Sequence, residues 1–249
     1  MKTIISLTSY PPRINIVSQT IVSLLAQKPE PDLVILHLAE SEFPNKKIPK
    51  NLTDIVKKNK KFQIRWTKDI KSYKKLIPTL RKFPEDIIVI ADDDVIYPSD
   101  WLAQLIATHK KYPNAVIGHH IYRINLNKPY RKWCKIQNKI WRQWFFGRPS
   151  FKNFATGVGG ILYPPHSLHP DVFNEKLFRK IAPTNDDVWF WAMTLLNGTK
   201  ITIAQKPIKN LPFIANSQKT SLWEENQNGK NEKCLNAIIE HYPQLKKLI

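Results

Sequence analysis

The chain has 249 residues, 42% of them hydrophobic, which is enough for one large domain with a substantial buried core. Its 39 Lys and Arg residues outnumber its 20 Asp and Glu residues, and the formal net charge of +19 attracts polyanions: nucleic acid, anionic membranes, or phosphorylated and nucleotide-linked substrates. The two cysteines, Cys134 and Cys234, exclude a disulfide framework and a cysteine-only metal motif. No signal peptide or membrane-spanning stretch is predicted, so we expect a cytoplasmic protein.

The first half of the chain predicts alternating strands and helices. Three apolar runs, at 2–8, 32–38 and 86–91, and the alternating segment 62–66 are predicted to be strands. Apolar residues recur at helical spacing between Ile14 and Leu25, and the basic segment 72–82, interrupted by Pro78, is also predicted to be helical. This alternation favours a largely parallel sheet with helices on both faces.

The second half is less regular. A strand-like run covers Ala115–Ile124, an aromatic and basic segment follows at 130–147, and a Gly-rich turn leads into a strand at Gly157–Tyr163. A helix is predicted from Thr184 to Asn197-Gly198, and a polar loop at 216–231 precedes a last helix that ends at Tyr242-Pro243.

Three consecutive carboxylates, Asp92, Asp93 and Asp94, follow the buried strand at 86–91 directly. Ligands of open α/β sheets bind at the carboxyl ends of such strands, and three adjacent negative charges repel one another unless a cation compensates them. Carboxylates prefer hard cations such as Mg²⁺ or Mn²⁺, which usually bridge them to substrate phosphates. The triplet therefore predicts a metal–phosphate site. The alternative is a polar loop that caps the helix beginning after Asp100.

A hydrophobic strand that ends in D-x-D, about ninety residues after an N-terminal strand, resembles the GT-A-fold glycosyltransferases. The run from Asp92 through Tyr97 and Trp101 to Leu102 resembles the DDD-x-x-Y/F-x-x-x-W/F-L pattern of bacterial enzymes similar to glycosyltransferase family 2. The resemblance covers roughly residues 3–200. It implies an α/β, GT-A-like fold: a largely parallel central sheet flanked by helices, with an irregular α+β acceptor-side half.

Within that resemblance we expect a single domain over 1–249, because no repeat and no Gly- or Ser-rich linker divides the chain. Its parts are a nucleotide-sugar-binding half at 1–112, an acceptor and catalytic half at 113–205, and a C-terminal tail and helix at 206–249. The resemblance implies that Asp92 faces the nucleotide ribose or a metal and that Asp94 ligates the metal bridging the donor diphosphate. Asp93 belongs to the donor side or only shapes the turn.

A second acidic pair, Asp186-Asp187, precedes an apolar helix. In similar inverting enzymes a short x-[E/D]-D motif at this place supplies the base that deprotonates the acceptor hydroxyl; Asp187 matches its final Asp and Asp186 its middle acid. Neighbouring carboxylates raise one another's pKa, which suits a general base near neutrality. A capping box, Thr184-x-x-Asp187, explains the same residues structurally, and the two roles are compatible.

Residues near the ends of the first and third strands are expected on the donor side: Thr8, Tyr10, Arg13, Asp69, Lys74 and Lys75. Tyr10 would stack on the base, and Arg13 would meet ribose or phosphate oxygens. Asp69 would accept a hydrogen bond from the base, and either lysine would neutralise the diphosphate or remain a surface charge.

The Gly-rich stretch and the helix after Asp187 are expected to line the acceptor and sugar pocket through Gly157, Gly159, Gly160 and Trp189. Glycine permits close approach of a sugar or phosphate to the main chain, although a plain tight turn explains the glycines equally well. GT-A enzymes often add a C-terminal His to the metal; here only His241 follows His169, so the third ligand stays open, with Asn216, Ser217 or Gln218 lining the site instead.

The segment from Trp133 to Phe146 is predicted to be one amphipathic basic helix. Its apolar stripe either packs on the core or lies on an anionic membrane surface; as a loop, its aromatics would stack on acceptor sugars.

These expectations describe a transferase that uses Mn²⁺ or Mg²⁺ and a nucleotide-sugar donor. It would act on a glycan or lipid-linked glycan in cell-surface polysaccharide or lipopolysaccharide synthesis, in the cytoplasm or on the inner face of the membrane. A sugar nucleotidyltransferase is the nearest alternative, although Ser9-Tyr10-Pro11-Pro12-Arg13 replaces the G-x-G-x-R loop expected there. A basic nucleic-acid-binding protein is the alternative from another class; it leaves Asp92–Asp94 unexplained, and we expect no nucleic acid partner.

Overall fold

A computed structural model describes residues 1–215, 217 and 229–249. Its main sheet has seven strands among these residues, bounded as follows: β1 Thr3–Thr8, β2 Leu33–Ala39, β3 Phe62–Thr67, β4 Ile87–Ile90, β5 Val116–Gly118, β9 Ile161–Tyr163 and β10 Ile201–Ile203. A small second sheet contains β6 Ile121–Arg123, β7 Cys134–Lys135 and β8 Asn153–Ala155. The fold is α/β, as the sequence predicts.

The strand order in the main sheet is β10-β5-β9-β4-β1-β2-β3. β1 pairs in parallel with both β2 and β4, and β2 pairs in parallel with β3. β9 is inserted antiparallel between β4 and β5, whereas β10 is parallel to β5. Because β1 and β4 are parallel neighbours, their carboxyl ends, Thr8 and Ile90, lie at the same edge of the sheet. The sheet is therefore mixed and mostly parallel.

Alternate residues of β4 enter two apolar clusters, as expected for a strand buried on both faces. Ile87 and Val89 pack with the cluster that contains helices α1, Val17–Leu25, and α4, Trp101–Lys111. Ile88 and Ile90 pack with the cluster that contains α7, Asp186–Leu196. The remaining helices are α2 Lys50–Lys58, α3 Ile77–Lys82, α5 Ile140–Phe146, α6 Glu175–Ile181 and α8 Asn231–His241. Helices thus cover both faces of the sheet.

The basic segment 72–82 is not one helix. A 3₁₀ turn at Lys71–Lys75 is followed by α3, which has Pro78 in its first turn. Proline is tolerated there because the first backbone N–H groups of a helix have no partner within it. Among the described residues no helix is long and apolar enough to cross a membrane.

Two elements of the second half differ from the prediction. Ala115–Ile124 is not one strand: β5 belongs to the main sheet and β6 to the small one. The single helix predicted over Trp133–Phe146 is also wrong, since β7 pairs with β6 and Lys139 is extended (φ −136°, ψ 133°), so that only Ile140–Phe146 is α-helical. Non-local strand pairing overrides the local helical pattern here.

Candidate active site

The three carboxylates after β4 have different environments. Asp92 is the most accessible, with 27% of its side chain exposed, and Lys75 donates a 2.9 Å hydrogen bond to its Oδ1. Asp93 is buried, and its Oδ1 accepts from Arg13 at 2.8 Å and its Oδ2 from Ser9 at 2.6 Å. Asp94 is also buried and forms an ion pair with Arg13 at 3.1 Å. The triplet therefore presents one partly open acid and two acids tied to the first loop.

Asp93 holds the loop after β1 against the loop after β4. Burial raises the pKa of its carboxyl, although Arg13 and the hydrogen bond from Ser9 oppose that shift. Its backbone carbonyl also accepts from Thr20 Oγ1 at 3.1 Å. Asp93 therefore connects the first loop, the loop after β4 and Thr20 of α1 through its side chain and its backbone.

Asp186 and Asp187 occupy the first turn of α7, and neither caps the helix. The Asn185 side chain accepts from the backbone N–H of Val188 at 3.1 Å and is the N-cap. The capping box from Thr184 to Asp187 is therefore wrong, because Asn185 takes the role one residue later. Both carboxylates are available for contacts outside the helix.

The contacts of the two acids point into the same region as Asp92. Asp187 Oδ1 accepts from the backbone N–H of Gly157 at 3.0 Å. Asp186 Oδ1 accepts from Ser72 Oγ at 2.8 Å, and its Oδ2 lies 3.1 Å from Lys75 Nζ. Lys75 therefore joins the acidic motif after β4 to the acidic motif of α7.

Lys75 is a buried cation, with 9% of its side chain exposed. Burial by itself disfavours its charge, but Asp186 and Asp92 raise the pKa of the ammonium group well above its ordinary value. The lysine thus stays protonated and compensates part of the negative charge gathered around it.

Asp187 titrates near neutrality. Burial and the neighbouring charge of Asp186 raise the pKa of its carboxyl to about 7, while Lys75 and the hydrogen bond from Gly157 act in the opposite direction. A carboxylate with such a pKa is suited to accept a proton at physiological pH. Strongly shifted groups of this kind cluster at functional sites.

The glycines after β8 serve different purposes. A Cβ atom built on Gly157 would lie 3.0 Å from Asp187 Oδ1 and 3.2 Å from Lys75 Nζ, so this glycine keeps space open between the acids. Gly160 has a φ of +84°, and a Cβ there would lie 2.2 Å from Trp101. Gly159 approaches His120 closely, with a built Cβ 2.7 Å from its backbone nitrogen. Only Gly157 borders the acidic network, whereas the other two meet packing demands.

The predicted donor residues form two separate groups. Thr8, Tyr10 and Arg13 lie at the end of β1 and in the loop after it, where Thr8 donates to the carbonyl of His37 and the Arg13 guanidinium lies 5.8 Å from the Tyr10 ring centroid. Asp69 and Lys74 instead pair with each other at 2.7 Å, and Lys74 also contacts Glu42 at 3.1 Å.

Asp69 and Lys74 form an ion pair with each other inside the protein. Burial acts to raise the pKa of Asp69, but hydrogen bonds from Lys74 and Lys71 hold it well below its ordinary value. Lys74 is buried, as is Lys75, yet the two ammonium groups contact different carboxylates. Neither lysine is a solvated surface charge.

Trp189 does not line this region. Its side chain is fully buried in the core beside Phe178 and Tyr242, and its indole N–H donates to the carbonyl of Val172. The expected pocket role of Trp189 is therefore corrected: burial of a large aromatic on the apolar side of α7 explains it fully.

The residues proposed as a third metal ligand are only partly described. Asn216 and Gln218 lie outside the described residues, while the carbonyl of Ser217 accepts from Arg13 Nη2 at 3.3 Å. His241 is the last residue of α8, and its ring packs on that of Tyr242 with 4.6 Å between the ring centroids.

Asp92 and Asp94 supply carboxylate oxygens, the donor chemistry that a divalent cation shared with a diphosphate prefers. Mg²⁺ in particular takes one or two carboxylates and completes its shell with water and substrate phosphates. Among the described residues no group of three or more His, Cys, Asp and Glu could hold a metal ion with protein ligands alone. The ion pair of Asp94 with Arg13 means that a cation there competes with the guanidinium.

Sequence reasoning missed three polar residues that position the acids. Ser9 donates to Asp93, Ser72 donates to Asp186, and the backbone N–H of Asp92 donates to Tyr97 Oη at 2.9 Å. Only Tyr97 carried a signal, because it stands at the aromatic position of the D-D-D pattern. The serines are ordinary loop residues whose partners are distant in sequence.

Comparison with known proteins agrees with this architecture. The main fold is similar to that in a crystal structure of 4-diphosphocytidyl-2C-methyl-D-erythritol synthase, with a TM-score of 0.50 and 11% identity, covering 88% of this chain and 95% of that one. At this identity the likeness concerns the fold alone. No curated protein matches the sequence significantly.

The family model for glycosyl transferase family 2 matches residues 13–163, more than half of the chain. The match begins at Arg13 in the loop after β1 and includes the acidic triplet and the Gly-rich stretch, and it favours a transferase over the nucleotidyltransferase and nucleic-acid-binding alternatives. The chain therefore belongs to glycosyl transferase family 2 and is a glycosyltransferase.

Proposed function

We propose that the protein transfers a sugar from a nucleotide-activated donor to a hydroxyl of a glycan or lipid-linked glycan, with inversion at the anomeric carbon. The observation that carries this proposal is the position of Asp187, whose pKa is raised to about 7 beside Gly157 and the pair formed by Lys75 and Asp92. A proton acceptor and a diphosphate-facing acid are thus parts of one network.

In the proposed reaction Asp187 takes the proton of the acceptor hydroxyl. The hydroxyl oxygen forms a bond to the anomeric carbon as the bond from that carbon to the diphosphate oxygen breaks, and the electron pair leaves with the nucleoside diphosphate. General-base assistance of this kind contributes about 10²–10⁴-fold to the rate. Asp186 and Lys75 carry opposite charges beside Asp187, so their role is to position the Asp187 carboxyl and tune its pKa.

The donor side of the site is proposed to comprise Thr8, Tyr10 and Arg13 at β1 together with Asp92. A divalent cation, Mn²⁺ or Mg²⁺, would be held by Asp92 and Asp94 and would neutralise charge on the leaving diphosphate. Asp93 contributes by holding Arg13 in place rather than by touching the donor. Asp69, Lys74 and Lys75 support the site through their pairs with other residues.

The positions of these residues suggest a role for each of three parts of the chain. We propose that 1–112 binds the nucleotide sugar, that 113–205 supplies the acceptor side and Asp187, and that 206–249 completes the single domain. The acidic motifs of the first two parts meet at Lys75. Synthesis of a cell-surface polysaccharide such as lipopolysaccharide, on the cytoplasmic side of a membrane, fits a lipid-linked acceptor.

A two-stage experiment tests the proposal. Thermal shifts with UDP-, GDP-, CMP- and dTDP-sugars, each with and without Mn²⁺, would identify the donor base and its metal dependence. Asp187→Asn should keep the donor-induced shift but reduce turnover by about 10²–10⁴-fold, because the amide preserves the acceptor for Gly157 N–H without accepting a proton.

Asp94→Ala should abolish the Mn²⁺-dependent part of donor binding, and Asp100→Asn, an exposed acid beside the same loop, is the matched control. Undiminished turnover per folded Asp187→Asn molecule would remove Asp187 as the base. Unchanged nucleotide affinity in Asp94→Ala would remove the metal assignment. Tight, salt-sensitive binding of DNA without any binding of nucleotide sugars would overturn the proposal as a whole.

A further inference from the structure

We propose that α5 and the basic surface around it form a docking surface for an anionic lipid bilayer. Four large apolar side chains of this helix are exposed to solvent: Ile140 at 76%, Trp141 at 49%, Trp144 at 79% and Phe145 at 66%. Exposed apolar residues that occur singly are ordinary, but four within six positions form a patch that calls for an occupant. A helix with Trp and Phe exposed among cationic residues is typical of an interfacial membrane element.

The charge of the surrounding chain indicates which occupant is favoured. Between Asp100 and Asp171 the sequence carries eleven Lys and Arg residues and no Asp or Glu. Lys135, Lys139 and Arg148, close to the patch in sequence, are all exposed. Basic residues near an anionic leaflet strengthen binding through its negative surface potential. The surface thus combines apolar insertion with charge complementarity to anionic headgroups.

The body of the protein holds α5 in place, so the patch does not depend on folding upon binding. Gln143 Nε2 donates to the carbonyl of Gln137 at 3.1 Å, and Asn153 Nδ2 donates to the carbonyl of Phe146 at 3.3 Å. The Arg123 guanidinium also lies 5.2 Å from the Phe146 ring centroid. The helix is therefore anchored to β6 and β8 of the small sheet while its four apolar side chains remain exposed.

The charge disfavours a second copy of this chain as the occupant. A two-fold symmetric contact through α5 would bring two identical acid-free surfaces together, each part of a chain with a net charge of +19. Like charges without compensating acids oppose such an interface. An anionic bilayer satisfies the cations and the aromatics together.

One strand connects α5 with the candidate active site. Asn153 of β8 donates to the carbonyl of Phe146 in α5, β8 ends at Ala155, and Gly157 beside Asp187 follows after one residue. Docking itself does not depend on the proposed function. Its consequence, that a lipid-linked acceptor is presented at the membrane surface, rests on that function.

Vesicle co-sedimentation of the full chain tests the proposal. Neutral phosphatidylcholine vesicles are compared with vesicles containing 30 mol% phosphatidylglycerol, a fraction on the order of that which sets up a negative surface potential in cells. We expect binding to the anionic vesicles only, weakening as salt is added. Trp144→Ser with Phe145→Ser should lower the partition coefficient about tenfold or more.

The matched control is Val22→Ser with Phe173→Ser, which removes two apolar side chains exposed at 56% and 37% elsewhere on the protein and should leave binding unchanged. A second variant, Lys139→Glu with Arg148→Glu, tests the charge and keeps the test decisive if the aromatic variant fails to fold. Equal vesicle binding by both variants and the wild type would overturn the proposal. The proposal would also be overturned if the wild type forms a dimer that the aromatic variant does not form and binds no vesicles. Binding of duplex DNA by the wild type, without binding of vesicles, would overturn it as well.

Discussion

Lys75 donates a 2.9 Å hydrogen bond to Asp92, and this contact connects the 3₁₀ turn after β3 with the acidic loop after β4. The same ammonium group lies 3.1 Å from Asp186 in the first turn of α7. One buried cation therefore links Asp92, which we propose faces the donor diphosphate, to the motif that contains Asp187, the proposed general base. Burial and the charge of Asp186 raise the pKa of Asp187, and the charge on Lys75 opposes them.

Replacement of Lys75 by Met should shift the acid limb of the pH–rate profile. The base must be deprotonated to work, and Lys75 lowers the pKa of Asp187, which lies at about 7 in the wild type. Loss of the cation should raise that pKa by on the order of one unit. Activity at pH 7 should then fall and recover partly at pH 8–9, measured as kcat/KM against pH.

The neighbouring Lys74 provides the control for this profile. It pairs with Asp69 and Glu42 rather than with the acids around Asp187, so Lys74→Met should leave the acid limb where it is. Lys75→Arg should retain most of the wild-type profile, because it preserves the charge. An unchanged acid limb in Lys75→Met would show that Asp187 is not the titrating base.

The acids of the triplet should differ in their contribution to stability. Asp93→Ala leaves the buried Ser9 hydroxyl without its acceptor and leaves Arg13 with Asp94 as its remaining carboxylate, and losing these charge-assisted hydrogen bonds costs about 1.5–3 kcal/mol of unfolding free energy. Asp92→Asn should cost far less, because this side chain is partly exposed and Lys75 keeps its contact with Asp186. Guanidinium unfolding of the three proteins measures the difference. Similar losses in both variants would contradict the structural role given to Asp93.

Much of the fold of the first half of the chain could be predicted from the sequence. The runs that became β1, β2 and β4 are short and largely apolar, which is the pattern of strands buried on both faces, whereas the run that became β3 alternates apolar and polar residues. The acids at the end of β4 follow from the same pattern, since the strand fixes where they emerge. Local sequence carries these features because each depends on burial within one element.

The rest depends on contacts between distant segments. The sequence gives no sign that β9 is inserted antiparallel between β4 and β5, or that Ala115–Ile124 supplies two sheets. Lys74 and Lys75 are adjacent and chemically identical, yet the geometry of a 3₁₀ turn aims them at different carboxylates. Asn185 rather than Thr184 is the N-cap of α7. The Asp187 carboxylate accepts a hydrogen bond from the backbone N–H of Gly157 instead of taking part in a capping box.

Alanine substitutions at two of the glycines should separate activity from folding. In Gly157→Ala the new methyl group lies 3.0 Å from Asp187 Oδ1 and 3.2 Å from Lys75 Nζ, so these side chains must shift while the backbone remains relaxed. We expect lower kcat with a nearly unchanged Tm. Gly160→Ala combines a φ of +84° with a contact of 2.2 Å to Trp101, and should destabilise the fold strongly. Thermal unfolding and activity assays test both variants. A strongly lowered Tm in Gly157→Ala would argue against the role of Gly157 at the site.

A buried histidine should make stability fall in mild acid. Ile208 N–H donates to Nδ1 of His119 at 3.1 Å, so Nε2 carries the proton and donates to the carbonyl of Trp101 at 3.0 Å. Burial lowers the pKa of His119 to about 4, from an ordinary value of about 6.5. Between these values the unfolded chain binds a proton that the folded chain does not, so stability present above pH 6.5 is lost as the pH falls.

The slope from this one residue approaches about 1.4 kcal/mol per pH unit inside that window. His119→Asn should be less stable than the wild type at pH 7, because it removes buried contacts with Trp101 and Ile208. Its unfolding free energy should nevertheless fall less steeply from pH 6.5 to pH 4.5, since one fewer proton is taken up on unfolding. Urea unfolding at four pH values measures both slopes. Parallel slopes would mean that His119 is already protonated in the folded protein, which its hydrogen bond from Ile208 opposes.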